Sequence, residues 1–287
     1  MKSRGKIGGW SSLALPAVFI ICIFVFFLGF FGSSILSQQV ETEVSLHPRS
    51  SRLLNEKVYE PLPRGHSGDD FLTTIPFQVL SWTPRAVYFP GFATSKQCES
   101  IIAMARVQLS PSTLALREQD TAENTKGIRT SSGMFVTANE DKTGILDFIE
   151  KKIERATMIP RSHGEAFNVL RYDIGQRYLS HYDTFNPAHY GPQKSQRMAS
   201  FLLYLSDVEE GGETMFPFGN GESVGATYDY EKCNGLKVKP RKGDGLLFYS
   251  LYPNGTIDPT ALHGGCPVIK GQKWVATKWI RNEVEFY

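Results

Sequence analysis

A mainly β domain, an all-β barrel core with helices added ahead of it, is the fold that this 287-residue chain predicts, carried behind a segment able to cross a bilayer. Three observations lead there. Short β-type runs separated by Gly, Pro, Asp and Asn fill the chain after Pro160, two helical periodicities precede them, and Leu13 to Leu36 contains no charged residue. Hydrophobic residues make up 41% and aromatic residues 12%, enough to bury a full core. A formal net charge of +2 gives no global sign of nucleic-acid binding.

The apolar segment, "LALPAVFIICIFVFFLGFFGSSIL", exceeds the roughly 20 residues a membrane helix needs. Lys2, Arg4 and Lys6 lie just before it and the first charge after it is Glu41. The positive-inside rule therefore makes residues 1–12 a cytoplasmic tail, 13–36 a signal-anchor helix and the remainder lumenal, a type II topology. A cleaved signal peptide competes, with Gly32, Ser33 and Ser34 as cleavage-like residues, but its apolar core is usually about 7 to 15 residues long. Residues 37–75 have little periodicity, many polar residues and scattered Pro and Gly, and read as a stem. Residues 76–287 have the length of one domain.

Within that domain "PRAVYFPGF" reads as a strand. Ser95 to Leu109 reads as a helix capped by Ser95, with Ile101, Ile102 and Ala105 at helical spacing. A second helix is expected from about Asp141 to Thr157, apolar at Ile145, Phe148, Ile149 and Ile153. Thereafter "EAFNVLRYD", "RYLSHYD", "MASFLLYLSD", "LKVKP", "DGLLFYS" and "KWVATKWIRN" read as strands. Cys22 falls in the apolar segment, which leaves Cys98, Cys233 and Cys266 in an oxidising compartment. Cys233 and Cys266 sit in loop-like contexts and are expected to pair, with Cys98 left over. Asn254 heads the single N-glycosylation sequon, in the polar stretch "YPNGTIDPT".

Chemistry concentrates in "HYDTFN". His181 and Asp183 stand at i and i+2, so on a strand they share a face and can approach one ion together. Alone, such a pair is an ordinary polar feature of a sheet surface. His263, in "ALHGGCP", adds a third donor beside glycines that let the backbone come close to a ligand. Two histidines and one carboxylate make a facial triad, which leaves coordination positions of Fe(II) open. In "KWVATKWIR" the period-2 reading sets Lys273, Val275, Thr277, Trp279 and Arg281 on one face, where an ammonium and a hydroxyl could bind a carboxylate. A solvated edge lysine is the competing reading of Lys273.

The motifs "RYDIGQRYLSHYD", "RMASFLLYLSDVEEGGETMFP", "VKPRKGDGLLF" and "LHGGCPVIKGQKWVATKWIR" together resemble the 2-oxoglutarate- and Fe(II)-dependent dioxygenases. Within them they are most similar to the plant-type membrane-anchored prolyl 4-hydroxylases, related to the collagen prolyl 4-hydroxylase catalytic subunit. The resemblance spans about Pro76 to Arg281 and implies a double-stranded β-helix, or jelly roll. It makes His181, Asp183 and His263 the iron ligands and Lys273 the partner of the 2-oxoglutarate C5 carboxylate, with Tyr172, Thr214 and Thr277 adding hydroxyl contacts. Halogenating relatives have a small residue at the Asp183 position, so the carboxylate implies hydroxylation. The peptide groove would use Tyr178, Arg197 and Trp279, with Arg129 and Ser131 in a mobile loop, "RTSSGMF", that closes over the substrate. Tyr178 and Trp279 as core aromatics and Arg197 as a rim ion pair compete with those roles, and Arg281 falls where some relatives carry histidine.

The reaction so implied is 4-hydroxylation of peptidyl proline, coupled to decarboxylation of 2-oxoglutarate to succinate and carbon dioxide. Dioxygen is a second cosubstrate, and L-ascorbate keeps the iron reduced. The family points to extensins and arabinogalactan proteins as substrates, to the membrane of the endoplasmic reticulum or Golgi, and to association with other prolyl 4-hydroxylases. Two other classes remain open. A zinc hydrolase could use the same three ligands but needs a general base and has no use for Lys273 with Thr277; a non-catalytic barrel would not need the ligands.

Overall fold

The computed structural model describes residues 74–285 except 118, 122, 220–228, 230 and 231, together with residue 23 and two short strands before residue 74. The expected tail, anchor and almost all of the stem lie outside the described residues. Among those described, no helix is long and apolar enough to cross a membrane. The chain divides into two units, Met1–Thr73 and Thr74–Tyr287. In the first, β1 (Leu62–Pro63) pairs antiparallel with β2 (Phe71–Leu72).

The second unit begins with β3 (Gln78–Trp82), β4 (Arg85–Phe89), α1 (Ser95–Arg106), β5 (Ser110–Pro111), β6 (Ser132–Val136) and α2 (Ile145–Thr157). It continues through β7 (Phe167–Tyr172), β8 (Tyr178–His181), α3 (Pro187–Tyr190), β9 (Arg197–Tyr204), β10 (Glu210–Gly211) and β11 (Thr214–Phe216). The last elements are β12 (Leu236–Val238), β13 (Gly245–Tyr249), β14 (His263–Gly265), β15 (Val268–Lys270) and β16 (Lys273–Arg281). Eight strands form one sheet in the order β3-β4-β13-β9-β16-β7-β6-β5, and four form a second, β12-β11-β14-β8. From β7 onward the chain crosses repeatedly between these two sheets, which is the winding of a double-stranded β-helix.

Two cores flank the large sheet. Alternate residues of β16 divide between them: Trp274, Ala276 and Ile280 join a cluster with Cys98, Ile101, Leu146, Ile149 and Ile153 of the helices, while Val275 joins Leu170, Tyr204, Phe216 and Phe248 inside the barrel. A strand covered on both faces has no polar side, so eight of its nine residues are buried and its hydrophobicity hardly alternates.

The helices begin otherwise than expected. Thr94, not Ser95, caps α1: its hydroxyl accepts from Gln97 N at 3.3 Å and its own N–H donates to Gln97 Oε1 at 2.9 Å, a reciprocal capping box. Ser95 instead donates to Glu99, and α1 ends at Arg106 rather than Leu109. Helix α2 starts at Ile145, because Asp141 is its cap from outside, accepting from Leu146 N and Thr143 N at 2.8 Å each, while Gly144 turns the chain at φ 71°. Its buried stripe is Leu146, Ile149, Glu150 and Ile153; Phe148 is 52% exposed, a third of a turn from the stripe it was assigned to.

Most of "RTSSGMF" is a strand rather than a mobile loop. Residues 132–136 pair in register with β7, Ser132 opposite Arg171 through Val136 opposite Phe167, and only Arg129, Thr130 and Ser131 stay outside. Gly133 permits this, since a Cβ there would stand 2.6 Å from Leu170 Cδ2. A bridge joins Cys233 to Cys266, with Cα atoms 5.6 Å apart, and Cys98 is a free, buried thiol whose pKa burial pushes up to about 11. Asn254 is exposed in a turn in which Thr256 Oγ1 donates to its Oδ1 at 2.7 Å.

One charge crosses the helix-side core. Lys278 of β16, 4% exposed, reaches Glu150 of α2 at 2.5 Å, and Glu150 also accepts from Arg161 at 2.7 Å. Burial lowers the Lys278 pKa, although Glu150 opposes the shift. Removal of the carboxylate strands the lysine, whereas removal of the lysine leaves Glu150 with Arg161. Glu150→Leu is therefore expected to cost about 3 to 5 kcal/mol of stability and Lys278→Met distinctly less, measured by urea unfolding monitored by circular dichroism. Equal losses would contradict this asymmetry.

Candidate active site

Strands β8 and β14 lie side by side with His181 directly opposite His263. The chain leaves β8 after His181, and Asp183 turns back into the barrel mouth from the following bend. The three side chains converge: Asp183 Oδ1 lies 3.6 Å from His181 Nε2, Asp183 Oδ2 lies 3.5 Å from His263 Nε2, and one ligand atom from each falls within 4.8 Å of the others.

Backbone contacts fix the tautomers. His181 Nδ1 lies 2.8 Å from the Leu179 carbonyl and His263 Nδ1 3.0 Å from the Ala261 carbonyl. A carbonyl can only accept, so each Nδ1 carries a proton and each Nε2 is the ring nitrogen turned toward Asp183. Burial lowers the His263 pKa to about 4, which keeps that imidazole neutral and able to ligate. Burial alone would raise the Asp183 pKa, but His263, His181 and Arg197 hold it well below the ordinary range, and Ser200 Oγ donates to Oδ2. Ser200 escaped the sequence reading because "MASFLLY" shows it only as a small polar residue in an apolar strand. One anionic oxygen ligand and two imidazole nitrogens suit Fe(II), and Asp183 is the only carboxylate lining this cavity among the described residues. A zinc hydrolase would therefore lack its general base.

Lys273 closes the other end. It is 4% exposed, has no carboxylate within ion-pair distance among the described residues, and lies 5.4 Å from the Tyr172 ring centroid and 5.9 Å from that of Tyr204. Burial lowers its pKa to about 8, with Glu213 the one acidic group opposing the shift. A buried ammonium with no anion suits an anionic ligand. The same cavity is lined by Tyr172, Thr214, Thr277, Gly264 and Gly265. Tyr204, which sequence reading did not single out, donates to Thr214 Oγ1 at 2.8 Å and so leaves the threonine proton free to turn toward the cavity. Gly264 has a second role, since a Cβ there would crowd Ser180 N and Tyr178 O at 3.2 Å.

Outside the triad the cavity opens into a groove of about 800 Å³. Tyr178 and Trp279 line both spaces. Tyr178 stacks on His181 with centroids 3.6 Å apart, and Arg129 lies over its other ring face at 4.8 Å. The Arg197 guanidinium lies 3.7 Å over Trp279 while donating twice to Glu165 at 2.7 Å, so it is both an ion pair and a groove residue. Glu165 is held below its ordinary pKa against burial by Arg197 and Arg281. Arg281 is taken up by Glu165 at 2.8 Å and Glu285 at 2.9 Å, away from Lys273. Ser131 lines neither space: its hydroxyl is buried, donates to Ser112 Oγ at 2.9 Å and accepts from Arg129 Nε at 3.3 Å.

Residues 167–281 match the 2OG-Fe(II) oxygenase superfamily, a span that contains the triad and Lys273. "Probable prolyl 4-hydroxylase 9" of Arabidopsis thaliana is 62% identical over 288 residues, 99% of each chain. The chain belongs to the prolyl 4-hydroxylase family. "Prolyl 4-hydroxylase 13" of the same plant is 52% identical, again across 99% of both chains. A solved 2OG complex of a viral collagen prolyl hydroxylase from Paramecium Bursaria Chlorella virus-1 superposes with a TM-score of 0.50 at 27% identity, covering 68% of this chain and 95% of that one. This prolyl 4-hydroxylase relative is thus an oxidoreductase that depends on Fe(II) and 2-oxoglutarate, and its His-Asp-His cluster fits the metal by donor chemistry as well as by family.

Proposed function

We propose that the enzyme hydroxylates C4 of peptidyl proline in proline-rich secretory and cell-wall glycoproteins of the extensin and arabinogalactan type. The observation that carries this reading is the pairing, in one cavity, of the His181–Asp183–His263 cluster with the anion-free Lys273, opening into a groove walled by Tyr178, Trp279 and Arg197. Its relatives' names supply the proline; the extended, aromatic-walled groove agrees with a polyproline II chain, which has no internal hydrogen bonds to break.

In this reading His181, Asp183 and His263 hold Fe(II), which when bound couples decarboxylation of 2-oxoglutarate to insertion of one oxygen atom of dioxygen into a substrate C–H bond. Lys273 receives the C5 carboxylate, with the hydroxyls of Tyr172, Thr214 and Thr277 as further donors. Tyr178, Arg197, Trp279 and Arg129 orient the peptide so that one prolyl C4 faces the metal, and their rings exclude water from it. L-ascorbate restores the iron after cycles without substrate. The segment 13–36 anchors the enzyme as a type II protein of the endoplasmic reticulum or Golgi, where Asn254 would meet the glycosylation machinery and other prolyl 4-hydroxylases could associate.

Mass spectrometry of extensin-like and arabinogalactan-like peptides, incubated with residues 76–287, Fe(II), 2-oxoglutarate and ascorbate, tests the substrate class. A gain of one oxygen per modified proline, with stoichiometric succinate, is expected. Turnover of 2-oxoglutarate with none of these peptides modified would reject the reading.

A further inference from the structure

A second cleft, of about 270 Å³, lies beside the groove and shares Thr113, Arg129 and Phe135 with it. Asn168 lines this cleft. It is only 3% exposed, and its carboxamide makes no hydrogen bond with any described residue. A buried primary amide normally finds partners for its two donors and its acceptor, so one that faces a cleft without them is poised for a ligand. Gly133, across the strand pair, keeps the approach open: a Cβ there would stand 3.2 Å from Asn168 Oδ1.

Register places this amide between the groove and the inner cavity. Asn168 on β7 pairs with Phe135 of β6 on one side and with Thr277 of β16 on the other. All three therefore share the barrel-facing side of the large sheet: Phe135 lines the groove, Thr277 the inner cavity, and Asn168 stands between them. The Phe135 and Trp279 rings, 6.2 Å apart, lead from the groove toward the cleft.

We propose that Asn168 is a specificity-determining residue that hydrogen-bonds the main-chain peptide group of a substrate residue flanking the target proline. The carboxamide matches a peptide group, an acceptor for its N–H and donors for its C=O. A chain in polyproline II form presents such groups unpaired. The assignment rests on the peptidyl-proline reading and extends it to the length of chain recognised.

The test combines Asn168→Leu with an ester scan of a proline-rich peptide, each flanking peptide N–H being replaced in turn by oxygen. In Asn168→Leu the Kd for the peptide, read by fluorescence anisotropy, and its KM should rise about tenfold, while the KM for 2-oxoglutarate and its peptide-free decarboxylation stay within about twofold. One ester position should weaken the wild type by a similar factor and leave Asn168→Leu indifferent. Equal sensitivity of both proteins at every ester position, or parallel losses in peptide and 2-oxoglutarate KM, would overturn the assignment. Asn168→Ala, which removes both the acceptor and the donors without adding bulk, serves should the leucine variant misfold; it too should be indifferent to the one ester that weakens the wild type. Wild type that binds but does not hydroxylate the peptides would refute the proline reading, whereas anisotropy unchanged by substitution would refute the role of Asn168.

Discussion

Asp183→Ala should lower turnover by about a thousandfold or more, the scale of the several kcal/mol of stabilisation that a catalytic metal supplies, while leaving the fold intact. The physical reason is that Asp183 is the one anion among the three ligands. Its oxygens stand 3.6 and 3.5 Å from the two Nε2 atoms, and Ser200 fixes the carboxylate from behind. Alanine leaves only two imidazoles, that of His263 kept neutral by burial, with no anionic ligand to compensate the charge of Fe(II). Asp183 packs at the barrel mouth rather than in either apolar cluster, so the melting temperature of the variant should stay near that of the wild type. Fe(II) affinity, measured by competition with a chelator, should fall together with turnover. Asp183→Glu keeps the charge but adds a methylene, and should recover part of the binding and little of the turnover. Wild-type turnover in Asp183→Ala would remove this residue from the metal site.

The sequence pointed to the triad and Lys273 by spacing, which sets His181 with Asp183 and Lys273 with Thr277 on shared strand faces, and by the set of motifs around them. Alone, the pair reads as ordinary sheet polarity and the lysine as a solvated edge residue. Strand signals of β7, β9, β13 and β16 were readable for another reason, a run of buried residues bounded by turns. Errors arose where the decisive partner was distant in sequence. Nothing near Phe148 tells that α2 buries Leu146 in its place, beside the expected Ile149 and Ile153, and "RTSSGMF" reads as a loop until β7 offers it a ladder. Ser200, Tyr204 and Asn168 act through Asp183, Thr214 and a cleft, contacts that no local pattern encodes. Arg197 needed the third dimension as well: ion pair and groove wall were rival readings in one dimension and are both true in three.

Lys273→Ala should raise the KM for 2-oxoglutarate by about one to two orders of magnitude and leave Fe(II) affinity unchanged. Hydrogen bonds to charged groups are worth about 1.5 to 3 kcal/mol net, and 1.4 kcal/mol is tenfold. The ammonium has no protein anion to fall back on, so nothing in the cavity replaces it; Arg281, the other basic residue on that strand face, is already engaged with Glu165 and Glu285. Lys273→Arg keeps a cation but needs more room, beside Gly265 and the rings of Tyr172 and Tyr204, and should recover activity only in part. The pH dependence has a definite sign. Burial brings the Lys273 pKa down to about 8, so below that pH the ammonium is charged and ready, and above it binding of the carboxylate must take up a proton. The wild-type KM for 2-oxoglutarate should therefore be flat below about pH 8 and climb toward tenfold per unit above it, whereas in Lys273→Ala that rise should vanish. The measurement is a 2-oxoglutarate titration at saturating Fe(II) and peptide from pH 6.5 to 9.5, with chelator competition for iron on the same proteins. A KM unchanged in Lys273→Ala, or a rise with pH that survives the substitution, would mean that the cosubstrate carboxylate is held by another group.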